Sequence, residues 1–155
     1  MKFVLLVVGK NKFPFVEAGL GHYFENIRHM GEIEYIELKD SASRSEKEAE
    51  QFTETLKRRK LLEGPNRVFL LDERGKQQSS EEFAAQLGAM RDQGVQRFVF
   101  LIGGAYGFSP EMRAAYPLIS LSKMTLPHDL ARLFLAEQLY RALHILSGGK
   151  YHHGG

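Results

Sequence analysis

An α/β fold with a mostly parallel sheet follows from three observations. Apolar runs of strand length alternate with helix-period segments along the whole chain. Two of these runs, Phe3–Val8 and Phe98–Ile102, are continuously apolar, as parallel strands covered on both faces must be. No repeat, low-complexity tract or linker interrupts the pattern, so the 155 residues predict a single domain, 1–155.

The elements can be justified in order. Phe3–Val8 is the first strand, and Phe13–Met30 reads as a helix. Ile33–Leu38 alternates apolar and polar residues, which predicts a strand with one wetter face. The stretch KDSASRS is a loop, and Ser45 with Glu48 three residues later forms a capping box. That helix runs to about Leu62, where EGPN ends it. Val68–Leu71 is the third strand, followed by a polar loop, DERGKQQ. Ser79 with Glu82 opens a third helix that reaches about Gln93. Phe98–Ile102 is the fourth strand, Ser109 starts a short helix, and Pro117–Leu121 is a short fifth strand. Pro127–Leu146 is the longest and most apolar helix, and SGGKYHHGG is the tail.

Composition narrows the class. At 43% hydrophobic and 26% charged, the chain is an ordinary globular sequence. It has no cysteine, so disulfides and thiolate chemistry are excluded. No apolar run approaches membrane-spanning length. The opening MKFVLLVVGK reads as a strand rather than a signal peptide, so a cytoplasmic location is expected. A net charge of +2 permits a nucleic-acid partner without demanding one. The run Lys57–Lys60 reads either as the solvated end of a helix or as an RNA contact, with the first favoured.

Two loops stand out. The stretch IGGAYGFSPEM, residues 102–112, has a G-G-x-x-G spacing after the fourth strand. A dinucleotide fingerprint needs G-x-G-x-x-G after the first strand, and a phosphate loop needs a following Lys-Ser/Thr, so both readings fail. Ser109 as N-cap and Pro110 at the first helical position account for the end of the loop but not for Gly103, Gly104 and Gly107 together. The second loop, LISLSKMTLPH, is apolar yet rich in small hydroxyl residues. Such a segment offers main-chain donors and acceptors beside apolar side chains, a surface suited to an adenine or thioether ligand. Leu71, at the end of the third strand, can supply a third wall at the carboxyl edge of the sheet.

The segments LDERGKQQSSEEFA, FLIGGAYGFSPEM, SLSKMTLPHDLARLFLAEQLYRALHIL and the terminal YHH resemble the small bacterial SPOUT methyltransferases of the ribosomal large-subunit methyltransferase H family. The resemblance runs essentially end to end and is specific from Leu71 onward. It implies an α/β knot with a carboxyl-terminal trefoil, a homodimer, and S-adenosyl-L-methionine as cofactor. It also implies N3-methylation of a pseudouridine in large-subunit (23S) ribosomal RNA, on the assembled ribosome. The alternatives are another RNA, such as transfer RNA, or a non-catalytic ribosome-associated module. The family's cofactor contacts carry over onto Leu71, Gly103 and Gly104, and onto the backbone of Leu121, Ser122, Lys123, Met124, Thr125 and Leu126. On this reading the glycines let the backbone approach both the cofactor and the threaded chain.

The polar candidates follow. His128 ends the second loop and reads as a proton acceptor or RNA contact, or else as a helix-start residue bonded to its own loop. Arg132, one turn on, is an RNA candidate or an ordinary solvent-face cation, and Arg141 carries the same two readings. Glu137 reads as a partner for a cation of a second copy rather than as a base. The resemblance places Tyr151 and His152 near the active site, in contact with substrate. The family's usual ending is Tyr-His-Lys or Tyr-His-Arg, whereas His153 here precedes Gly154 and Gly155, so an RNA phosphate contact at His153 lacks a permanent charge. His22, His29 and His144 share no ligand spacing, and no metal is expected. In the last helix Ala131, Leu135, Leu139, Ala142 and Leu146 form one apolar stripe. Leu133, Phe134, Tyr140 and Ile145 lie off it, which suggests a homodimer surface over a helix buried on two sides within one chain.

Overall fold

The computed structural model describes residues 1–40 and 45–153, with Ser45 described for its backbone alone. Ten elements alternate: β1 (Lys2–Val8), α1 (Pro14–Arg28), β2 (Glu32–Leu38), α2 (Ser45–Arg58), β3 (Asn66–Gln77), α3 (Ser80–Asp92), β4 (Arg97–Ile102), α4 (Pro110–Ala115), β5 (Leu118–Ser120) and α5 (His128–Ser147). The strands form one sheet in the order β2-β1-β4-β3-β5. Every pairing among the described residues is parallel.

The continuous apolar strands are central, as their composition requires. In β1, Phe3, Leu5 and Val7 face one side while Val4, Leu6 and Val8 face the other. The first set packs under α1, α3 and α5, through Val16, Leu20, Phe83, Leu87, Leu135 and Leu139. The second packs under α2 and α4, through Phe52, Leu56 and Met112. The period-2 strand geometry thus feeds two cores from one sheet. The stripe on α5 divides accordingly: Leu135, Leu139 and Ala142 are buried, Ala131 and Leu146 partly so, and Phe134 stays 39% exposed.

Two caps match the sequence reading. Ser79 accepts from the Glu82 amide while the Glu82 carboxylate returns to the Ser79 amide. Ser109 accepts from the Met112 amide. Lys57 and Arg58 close α2 as cations of its last turn. Most of the KDSASRS loop and the Ser45 side chain of the first capping box lie outside the described residues. The other half of that box, Glu48, is 5% exposed and reaches the Gly104 amide instead.

One expectation is corrected. The polar DERGKQ segment is not a loop after β3 but part of it, with the register against β5 shifting between Leu71 and Lys76. Both Leu71 and Lys76 align with Ile119, so residues 72–75 bulge out between them. A Cβ on Gly75 would lie 2.7 Å from the Leu118 carbonyl carbon and 2.8 Å from the Ile119 nitrogen. Only glycine lets the two backbones meet there.

Candidate active site

The β3 bulge and the loops after β4 and β5 converge and enclose a cavity of about 450 Å³. The β3 bulge supplies Leu71–Arg74, the β4–α4 loop supplies Gly103–Phe108, and the β5–α5 loop supplies Leu121, Ser122 and Met124–His128. Ile102, Ile119 and Ala131 close the apolar floor. This is the carboxyl edge of a parallel sheet, where the fold leaves strand ends uncovered.

Each loop is held by its own chemistry. In the β4–α4 loop the Gly107 amide donates to the Gly104 carbonyl at 3.0 Å, and Gly107 has φ +68°. The Gly104 amide donates to Glu48 Oε2 at 3.2 Å, and a Cβ there would collide with Glu48 Oε1. A Cβ on Gly103 would make only ordinary contacts, at 3.5 Å from Gly107 and Phe108. The glycines therefore have separate causes. The left-handed turn is at Gly107, the close approach at Gly104 is to a carboxylate of α2, and the close backbone approach to β5 is at Gly75. This corrects the expectation that Gly103 and Gly104 make room for the threaded chain.

The β5–α5 loop is braced internally. Ser120 Oγ donates to the Ser122 carbonyl at 2.9 Å, and Ser122 Oγ accepts from the Met124 amide at 3.0 Å. Thr125 Oγ1 donates to Glu73 Oε2 at 2.9 Å, tying this loop to the β3 bulge. Met124 is 78% exposed and Tyr106 is 70% exposed.

Of the positions expected to hold cofactor, Leu71, Gly103, Gly104, Leu121, Ser122, Met124, Thr125 and Leu126 all line the cavity, while Lys123 does not. His128 lines it too, half-buried, with Nε2 3.5 Å from Asp129 Oδ1. Burial, then the Arg132 cation, push the His128 imidazole below its ordinary range, so it is neutral at pH 7.

The Arg132 side chain is not where the sequence puts it. It is fully buried, and so it faces neither solvent nor RNA. Nη2 donates to the Val8 carbonyl at 2.6 Å. Nη1 donates to the Gly9 carbonyl at 3.0 Å, to Asn11 Oδ1 at 2.9 Å and to the Tyr35 hydroxyl at 3.3 Å. Beside it, Asp129 Oδ2 accepts from the Lys12 and Phe13 amides at 2.5 and 3.4 Å. The Phe13 side chain gives α1 no cap, and Asp129 serves the α1 entry from across the chain. The first turn of α5 thus clamps the β1–α1 turn against the cavity wall.

Tyr151 and His152 lie elsewhere. The Tyr151 hydroxyl donates to Glu137 Oε1 at 3.1 Å. His152 bridges Arg141 Nη1 at 3.0 Å and Glu81 Oε1 at 2.7 Å. The Arg141 guanidinium donates to Glu137 and sits 4.8 Å over the Tyr151 ring. Glu137 therefore has a cation of its own helix, a correction to the expected partner from a second copy. Burial is the main cause that raises the Tyr151 phenol, reinforced by Tyr23 and the Glu137 carboxylate. From His128 to Glu137 is about 13 Å of helix, so this cluster and the cavity are separate places in one chain. His153 is exposed. Among the described residues no group of three His, Cys, Asp or Glu side chains could hold a metal. None of the described helices is long and apolar enough to cross a membrane.

A doubly covered parallel sheet with a cavity at its carboxyl edge, walled by loop backbone, defines an α/β protein with a site of small-molecule size. Residues 1–152 match the family described as "Predicted SPOUT methyltransferase". The ribosomal RNA large subunit methyltransferase H of Geobacter sp. strain M21 is 42% identical, with 99% of each chain covered. That of Geotalea uraniireducens is 44% identical, covering 99% of this chain and all of the relative. A probable methylase family protein from Haemophilus influenzae has the same fold, with a TM-score of 0.52 and 11% identity over 94% of this chain and 66% of that one. The chain belongs to the SPOUT methyltransferases, enzymes that take a methyl group from S-adenosylmethionine.

The cavity fits that cofactor. Its volume lies within the range of small-molecule sites, about 300–1,000 Å³. Leu71, Leu121 and Leu126 offer apolar walls, and the two loops offer main-chain groups.

Proposed function

We propose that this chain methylates N3 of a pseudouridine in large-subunit ribosomal RNA on the assembled ribosome, as a single-domain cytoplasmic homodimer threaded as a carboxyl-terminal trefoil knot. The observation that carries the reading is the cavity itself, with eight of the nine expected cofactor positions on its wall. The ribosomal RNA comes from the relatives, which are ribosomal RNA large subunit methyltransferases.

When bound, the cofactor supplies an electrophilic methyl group on a sulfonium. The chain's part is alignment, and its three braced loops provide it. Ser122, Thr125 and Gly104 are each fixed by a hydrogen bond, so the wall is preorganised before substrate arrives. Methylation at N3 would replace the imide proton, so the chain must hold a group that takes that proton, while the bound cofactor would supply the methyl and be left as a neutral thioether. Neutral His128, at the end of the cavity wall, is the group placed to take that proton. Tyr151 and His152 pair with Glu137 and Arg141, which begin about 13 Å of helix beyond His128, so their role in the reaction requires a second copy that brings a tail to this cavity. The exposed Phe134 beside the apolar stripe of α5 supports such a pairing.

The test is transfer of labelled methyl from S-adenosylmethionine to ribosomes that lack the modification, with free subunits and transfer RNA alongside. Label confined to large-subunit RNA is expected. Label in transfer RNA alone, or cofactor binding with no transfer to any RNA, would overturn the reading.

A further inference from the structure

The β1–α1 turn exposes two large aromatics at once. Phe13 is 42% exposed and Phe15 is 57% exposed, and their rings stack at 5.3 Å with an interplanar angle of 21°. Lys10 and Lys12, also exposed, precede them. Neither ring belongs to the core, although Val16, the residue of α1 that follows Phe15, is fully buried. A soluble chain gains nothing from leaving two adjacent phenyl faces in water, so the pair has a use at the surface.

The turn is also held rigid. Asp129 takes the Lys12 and Phe13 amides, Arg132 takes the Val8 and Gly9 carbonyls, and Pro14 opens the helix. Asp129 follows His128, a wall of the cavity, and the Lys12 ammonium acts on the His128 imidazole. Phe13 and Phe15 therefore stand beside the reaction site on a turn that loses little freedom on binding. The one nearby acid on α1, Glu17, accepts from Asn11 Nδ2 at 2.9 Å.

Resting on the activity proposed above, we infer that this turn is a platform for single-stranded RNA beside the target nucleotide. Phe13 and Phe15 stack an unpaired base, and Lys10 and Lys12 meet the flanking phosphates. Aromatic faces flanked by cations suit a nucleobase on its phosphate backbone better than an aliphatic protein face. The platform gathers two cations on one turn of a chain whose net charge is only +2.

The experiment measures binding of the full-length protein to large ribosomal subunits lacking the modification, separately from methyl transfer. Phe13→Ala with Phe15→Ala should weaken subunit binding by roughly 5- to 100-fold. Cofactor affinity and sedimentation should stay as in the parent. Lys10→Ala with Lys12→Ala should lower the slope of log affinity against log salt by about one to two. The chain has no tryptophan, so Phe15→Trp supplies a single indole whose fluorescence should quench when subunits bind. Unchanged subunit binding by the double phenylalanine variant would overturn the platform. So would a changed sedimentation mass, which would make the patch a contact between copies of this chain. A parent protein that binds no ribosomal particle overturns it as well. A parent that binds subunits without methylating them refutes the activity alone, and the platform is then judged by its binding readouts.

Discussion

Replacing Arg132 tests its role as a buried structural anchor against the RNA contact its sequence position suggests. Its guanidinium spans four acceptors: the Val8 and Gly9 carbonyls, Asn11 Oδ1 and the Tyr35 hydroxyl. The side chain is fully buried. Arg132→Ala removes a buried charge and strands two main-chain carbonyls, each costing about 1–3 kcal/mol if left unpaired. The two together cost about 3–5 kcal/mol overall. For a domain of this size each kcal/mol shifts the melting temperature by about 2–4 °C. The variant should therefore melt roughly 6–20 °C lower. Arg132→Lys keeps the charge but replaces the planar fork with a point donor, so it should recover only part of the loss. Thermal unfolding with no RNA present is the assay. A melting temperature within about 2 °C of the parent's would refute the reasoning and return Arg132 to the surface role its sequence position suggests.

Other perturbations test the loops and their titrating groups. Gly75→Ala drives a methyl into the backbone of Leu118 and Ile119, which cannot yield as a side chain would. It should cost about 1–3 kcal/mol of stability and weaken cofactor binding, as read by denaturation and calorimetry; parent-like values for both would contradict the close approach. Burial is the main cause that raises the Glu48 carboxyl above its ordinary value, against the opposing Gly104 amide bond. A raised folded pKa gives stability that is present at low pH and lost as pH climbs through it. Glu48→Gln should therefore gain on the parent between acid and neutral pH, and a constant difference between the two would refute this. The depressed His128 imidazole has the opposite sign: its stabilisation is full above its ordinary value and lost as pH falls through the folded one. If neutral His128 takes the imide proton, the acid limb of the transfer rate lies below the ordinary histidine range and His128→Asn removes it. A limb unchanged in that variant would assign the proton elsewhere.

Much of the fold is legible because it rests on short-range rules. Continuous apolar runs mark β1 and β4 as central strands, and Ser79 with Glu82 marks the start of α3 within three residues. The cavity was reachable because its walls are strand ends with glycines and small hydroxyl residues. What the sequence hides is long-range. Asp129 bonds amides 117 and 116 positions away, and Arg132 bonds carbonyls 124 and 123 away. A helical arginine reads as solvent-facing until the β1–α1 turn is seen beneath it. Glu48 reads as half of a capping box because only local partners are visible, yet its carboxylate goes to Gly104. The segment 72–77 looks like a loop because its residues are polar, and its pairing with β5 turns on a glycine that lets two backbones touch. The split between the cavity and the tail cluster is likewise hidden, since His128 of one and Glu137 of the other lie on the same helix.

The most direct measurement is to place the transferred methyl. Ribosomes lacking the modification are methylated with the purified protein, and the large-subunit RNA is digested and mapped by mass spectrometry. The account predicts one added methyl, on N3 of a pseudouridine. A methyl on any other nucleotide or on ribose, or none despite saturating cofactor, would contradict it.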